Sequence, residues 1–155
     1  MASLVPPGPG CVVEVGPGTG AITEGLIRAG LGDQVWALEK DPVLAQVFHR
    51  AHPTIALVVG DATALAHMVT QEHMGPVKAV VSSLGLLNMP APTVAAIAGA
   101  IAAVLPAGAP WIQYSYGRKS PLPRRLREAQ GWQAVSHGTV WANLPPAQVW
   151  TFVRS

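Results

Sequence analysis

"VVEVGPGTGAITEGL", residues 12–26, sets an apolar run against a loop with glycine at 16, 18 and 20, then passes into a segment of helical character. Glycine at that density after a strand lets the chain take backbone angles that a side chain forbids, and lets a ligand approach the main chain closely. The spacing says what kind of ligand. A dinucleotide fingerprint runs G-x-G-x-x-G, whereas here the third glycine arrives one residue early, giving E-x-G-x-G-x-G over residues 14–20. A pyrophosphate prefers a helix N-terminus free of nearby carboxylates, so Glu14 just before the loop points instead to a ligand with a cationic end.

Two further acids agree with that loop. Glu39 closes the run "VWALEKD", residues 35–41, nineteen residues after Gly20. An acid there can accept hydrogen bonds from both hydroxyls of a ribose. Asp61, in "VVGDATAL" at residues 58–65, follows the next apolar run and can reach the exocyclic amine of an adenine, with the Ala62 amide at the ring. An isolated Gly-Asp would mean only a turn. In series with Glu14, Gly16, Gly18, Gly20 and Glu39, it completes contacts for one nucleoside that bears a charged amino-acid tail.

The rest of the chain supplies the frame. Residues 11–15, 34–38, 55–59, 77–82 and 109–116 are short runs rich in β-branched or aromatic residues, the first four nearly continuous in apolar character, as in strands covered on both faces. Helical stretches fall between them at 21–29, 42–51, 63–72 and 93–105. Asp41 followed by Pro42 reads as an N-cap with proline at the first helical position. Residues 135–142 and 147–153 flank "NLPP" and read as a closing hairpin. This order predicts one doubly wound, mostly parallel Rossmann-like α/β sheet with a C-terminal antiparallel hairpin, spanning residues 1–155 as a single domain. The charge-free span 79–117 is cut by Ser82, Ser83, Asn88 and four prolines into pieces too short to cross a bilayer.

Composition narrows the class. Half of the 155 residues are hydrophobic and 12% are charged, far from the balance of a disordered chain. One cysteine, Cys11, excludes an internal disulfide and fits the cytoplasm. Residues 1–10 lack a basic n-region and are broken by prolines, so they read as neither signal peptide nor anchor. Residues 1–117 hold four Lys/Arg against seven Asp/Glu, a net −3, and residues 118–155 hold six against one, a net +5. Arg118, Lys119, Arg124, Arg125 and Arg127 crowd into one ten-residue window, which attracts phosphates or forms a solvated loop.

These motifs resemble those of class I S-adenosylmethionine-dependent methyltransferases, and within them the bacterial phospholipid N-methyltransferases, which methylate phosphatidylethanolamine toward phosphatidylcholine. The resemblance spans residues 12–154 and rests on "VVEVGPGTGAIT", "SSLGLLNMP" at 82–90, "IQYSYGRKSPLP" at 112–123 and "VWANLPPAQVWTFVR" at 140–154. It implies a seven-stranded sheet and S-adenosylmethionine as cofactor, with S-adenosylhomocysteine as product and no metal. It implies a cofactor site of Glu14, Gly16, Pro17, Gly18, Thr19, Gly20, Glu39, Lys40, Asp61, Ala62 and Ser82. Methyl transfer from a sulfonium needs no protein nucleophile, only an in-line neutral amine and exclusion of water. Tyr114, Tyr116 and His137 are the candidates to manage the amine's proton, with Tyr114 and Tyr116 preferred and His137 read as a surface strand residue. Tyr116, Arg118, Lys119 and Arg124 would hold the headgroup and its phosphate, with Pro121 and Pro123 keeping that segment extended and exposed. Phospholipid headgroups and an anionic membrane surface are the expected partners, at the inner face of the cell membrane, with no nucleic acid. One departure is that family members carry an N-terminal amphipathic helical region, whereas here the first strand begins by Cys11.

Two alternatives stay open. A ribosomal RNA adenine dimethylase-like enzyme shares the E-x-G-x-G-x-G start, but "SSLGLLNMP" offers no aromatic to stack on a flipped base. A non-catalytic S-adenosylmethionine-binding module is the other.

Overall fold

A computed structural model describes residues 1–117, 119–140 and 147–155. Its strands are β1 (Cys11–Val15), β2 (Val35–Glu39), β3 (Ala56–Val59), β4 (Val77–Ser82), β5 (Trp111–Tyr116), β6 (Trp132–Val140) and β7 (Ala147–Arg154). The helices are α1 (Ala21–Arg28), α2 (Pro42–Ala51), α3 (Leu65–Gln71), α4 (Ala91–Val104) and α5 (Arg124–Gln130).

The strands form one sheet in the order β3-β2-β1-β4-β5-β7-β6. Pairings among β1 to β5 are parallel, and β7 runs antiparallel to both β5 and β6. This is the doubly wound sheet with a reversed C-terminal pair that the sequence predicts. The order reverses between β1 and β4, which is where such sheets leave a crevice beyond the carboxyl ends of their strands.

Alternation along β1 distributes the core. Val13 and Val15 pack on one face with Leu65, Val80, Ile97, Ile101, Trp111 and Phe152. Val12 packs on the other with Leu26, Phe48, Val81 and Ile112. Every residue of β1 is buried, so its near-continuous apolar run follows from a sheet covered on both faces. β3 departs from that expectation. It is an edge strand whose residues are only partly covered, and Val59 is 55% exposed.

Capping accounts for several boundaries. Asp41 Oδ1 accepts from the amides of Val43 (2.7 Å) and Leu44 (3.2 Å), with Pro42 at the start of α2 as read from the sequence. Pro92 lies in the first turn of α4, where a missing N–H costs nothing, so that helix begins two residues before the predicted start. The predicted helix 63–72 divides into a 3-10 turn, Ala62–Ala64, and α3. β5 starts at Trp111 rather than 109, because Ala109 closes a turn onto the Pro106 carbonyl.

The largest correction concerns the basic window. Pro121 and Pro123 do not hold it extended: Pro121 and Leu122 are buried and Arg124–Gln130 is a helix, although Lys119, Pro123, Arg124 and Arg125 are exposed as expected. Pro123 precedes that helix and Gly131 ends it at φ 74°, the left-handed C-terminal cap that glycine adopts without strain. Arg118 and the "NLPP" turn at 143–146 lie outside the described residues. Among the described residues, no helix is long and apolar enough to cross a membrane.

Candidate active site

The carboxyl ends of β1 to β4 converge on one cleft, whose walls include Gly16, Leu38, Glu39, Lys40, Asp61, Ala62, Leu84 and Met89. Of the glycine loop, Gly16 lines the cleft, while Gly18 is off its wall and reaches it only through its amide on Glu39. Gly16 donates to the Leu38 carbonyl (2.9 Å), and the Ser83 hydroxyl donates to the Gly16 carbonyl (2.7 Å), tying the ends of β1, β2 and β4 together. Gly16 sits at φ 70°, and a Cβ there would lie 2.7 Å from Leu84 Cδ2. The leucine methyl could swing aside, so it is the left-handed backbone angle that favours glycine at this position.

Glu39 is buried at the end of β2, with 7% exposure. Its Oε1 accepts from the Asp41 amide (3.0 Å) and its Oε2 from the Gly18 amide (3.4 Å). Each oxygen keeps acceptor capacity for a ligand hydroxyl. Asp61 stands across the cleft. Its Oδ1 accepts from the amide (2.9 Å) and hydroxyl (2.8 Å) of Thr63, and its Oδ2 pairs with Lys40 Nζ at 2.7 Å. The Lys40 ammonium, then the Thr63 donors, hold the Asp61 carboxyl down at about 2, and Asp61 in turn raises Lys40. Asp61 therefore lines the cleft as a carboxylate already paired with Lys40 and Thr63.

Glu14 lies beneath the loop at 1% exposure. Its Oε2 accepts from the Thr23 hydroxyl at 2.7 Å, while Oε1 is buried with no hydrogen-bond partner among the described residues. Burial pushes its carboxyl up to about 7, against the lowering effect of the Thr23 hydroxyl and amide. Glu14 lines neither the cleft nor the hollows beside it, so the structure places it beneath the loop rather than on the cleft wall where the sequence reading put a cationic ligand end.

The remaining predicted residues divide. Pro17 is not on the cleft wall; it lines a neighbouring hollow with Ala21, Ile22, Ser83, Tyr114 and Tyr116. Thr19 is exposed on the loop and Gly20 is buried at the N-terminus of α1. Ser82 is also off the cleft wall, its hydroxyl accepting from the Leu84 amide (3.2 Å), while the adjacent Ser83 reaches the loop. Tyr114 and Tyr116 meet edge to face with ring centroids 5.4 Å apart, Tyr114 half-buried and Tyr116 56% exposed. His137 is exposed on β6, with Nε2 2.8 Å from the Thr151 hydroxyl. Lys119 and Arg125 are exposed, whereas Arg124 Nε is paired with Glu128 (2.6 Å) and Arg127 is half-buried.

Ser83, Leu84, Met89, Thr93 and Ile97 were not singled out by sequence reasoning, and all but Ser83 line the cleft. "SSLGLLNMP" holds the first three, but which of two serines faces the loop depends on how β4 ends. Gln113 is another such residue: buried in β5, its Nε2 donates to the Leu84 carbonyl (2.9 Å) and so holds the segment above Gly16.

The fold is that of the class I S-adenosylmethionine-dependent methyltransferases. Among solved structures, the chain is similar to the glycopeptide N-methyltransferase MtfA, at TM-score 0.72 and 17% identity, covering 96% of this chain and 90% of that one. It is similar to the magnesium protoporphyrin IX methyltransferase ChlM of Synechocystis PCC 6803 with bound S-adenosylmethionine, at TM-score 0.71 and 17% identity, covering 95% and 71%. The CurJ carbon methyltransferase matches at TM-score 0.67 and 13% identity over 97% of this chain, which spans half of that one. No protein-family model and no curated protein sequence matches the chain.

Proposed function

We propose that the protein is an S-adenosylmethionine-dependent N-methyltransferase acting on the amine of phosphatidylethanolamine and its methylated intermediates. One observation carries the cofactor: Gly16 at the start of the glycine loop, buried Glu39 and Asp61 line a single cleft at the point where the strand order reverses. Glu39 would take the ribose hydroxyls, Asp61 and the Ala62 amide the adenine, and the Gly16–Gly18 main chain with Glu14 below the amino-acid end. ChlM with S-adenosylmethionine and MtfA with S-adenosylhomocysteine, which share the fold, support this reading. When bound, the cofactor supplies a methyl group on a sulfonium, already a strong electrophile.

The acceptor reading rests on the hollow beside the cleft. Pro17 and Ser83 line it, each adjacent in sequence to a residue of the cleft wall, Gly16 and Leu84. Tyr114 and Tyr116 present aromatic faces there, which attract ammonium groups and still more the methylated ones that lose hydrogen-bond donors. Their hydroxyls are the polar groups placed to take part in moving the amine's proton. Lys119, three residues beyond Tyr116, and Arg125 are exposed cations available to phosphate, each contributing about 1 kcal/mol at an anionic bilayer. Leu87 is exposed two residues from Met89 of the cleft wall and adds an apolar contact for the same surface.

The test is transfer of labelled methyl from the cofactor to vesicles containing phosphatidylethanolamine, with RNA as the competing acceptor. Label in the lipid extract supports the proposal. Label in RNA, or in neither despite cofactor binding, contradicts it.

A further inference from the structure

Gly20 ends the glycine loop at φ 92° and begins α1, its amide donating to the Pro17 carbonyl (2.9 Å). A Cβ placed on it would fall on the imidazole of His52, meeting Nε2 first. His52 is thirty-two residues away in sequence, at the C-terminal cap of α2. Its ring lies 5.0 Å from that of Phe48, which is fully buried. Its amide donates to the Phe48 carbonyl (2.8 Å) and its carbonyl accepts from Ile55 (3.1 Å), so the backbone carrying the ring is tied on both sides. Nε2 is hidden from solvent and has no hydrogen-bond partner among the described residues.

The imidazole is thus a spacer between a fixed phenyl ring and the main chain of Gly20. At the middle of the same loop, the Gly18 amide reaches Glu39. We infer that His52 is a positioning residue for the cofactor loop: its bulk sets how far the Pro17–Gly20 turn can settle toward α2, and so where the amides of Gly16 and Gly18 stand. This rests on the cofactor reading above. It adds to the glycine motif a partner outside it. Glycine is needed at position 20 for the backbone angle and also for the room that His52 occupies.

Affinity for S-adenosylhomocysteine and amide exchange of the ligand-free protein test the inference together. His52→Ala is expected to weaken binding about tenfold, and His52→Phe, which keeps the bulk without the nitrogen, to stay within about twofold of wild type. Gly20→Ala is expected to weaken binding by more than about tenfold, and adding His52→Ala to it to recover at least about threefold, because the atom struck by the new methyl is gone. Recovery is partial, since the backbone strain persists. Losses that merely add, or a His52→Phe protein as weak as His52→Ala, overturn the inference. In the free protein, His52→Ala is expected to speed exchange of the amides at 18–22 by about fivefold while those of β4 stay unchanged. Unchanged exchange at 18–22 overturns the loop role whatever the binding result. Faster exchange there with no binding even by wild type upholds it and sinks the cofactor reading instead.

Discussion

Glu39 and Glu14 are both buried carboxylates at the ends of neighbouring strands, yet their surroundings give them opposite tasks. Glu39 accepts from two backbone amides, which orient its oxygens toward the cleft. Replacing it with alanine removes the acceptor proposed for the ribose, so S-adenosylhomocysteine affinity should fall at least about 30-fold, on the order of 2 kcal/mol, as read by calorimetry. Glu14 has one donor and one orphaned oxygen, and burial raises its carboxyl from 4.5 to about 7. The folded protein therefore holds this proton more tightly than the unfolded chain does. The associated penalty is absent below about pH 4.5, grows as pH rises and is complete above about pH 7, reaching on the order of 3 kcal/mol. Glu14→Gln should accordingly flatten the decline in denaturation midpoint between pH 5 and pH 7. Both acids were legible in sequence because Glu39 ends an apolar run and Glu14 interrupts one just before the glycine loop. Ser83 was not separable from Ser82, since only the hydrogen bond to the Gly16 carbonyl distinguishes them.

Local chemistry made some elements readable and others not. α2 is bounded as read, from Pro42 to Ala51, because an aspartate cap and a proline mark its start without help from the rest of the fold. Asp41→Ala should cost about 1 kcal/mol of stability by denaturant titration while leaving the sheet intact. α5 went unread because prolines and arginines dominate the window around it. The terminal glycine is a helix-stop signal, but what holds the segment is burial of Leu122 against the core, a tertiary contact with no mark in local sequence. The same helix pairs Arg124 with Glu128, so one of the five cations in that window is already answered within the chain. Arg125→Glu together with Lys119→Glu should lower cosedimentation with phosphatidylglycerol vesicles several-fold at low salt, whereas Arg124→Gln should lower it less.

Across the whole molecule, alternation of apolar runs with helical stretches was enough to foresee a doubly wound sheet with a reversed final pair, because burial on both faces leaves near-continuous apolar runs. The exposure of β3 was not foreseen, since a run such as "ALVV" does not say whether another strand will flank it. The same scale limits what the fold says of chemistry. One sheet serves proteins named for a glycopeptide nitrogen, a porphyrin and a carbon acceptor, so the fold does not name the acceptor, and the proposal for it rests on the residues around Tyr114 and Tyr116. Titration of the purified protein with S-adenosylhomocysteine, wild type beside Glu39→Ala, bears on the central claim most directly. Saturable one-to-one binding that the substitution weakens at least about 30-fold is the predicted result; no binding by wild type, or equal binding by both, would contradict it.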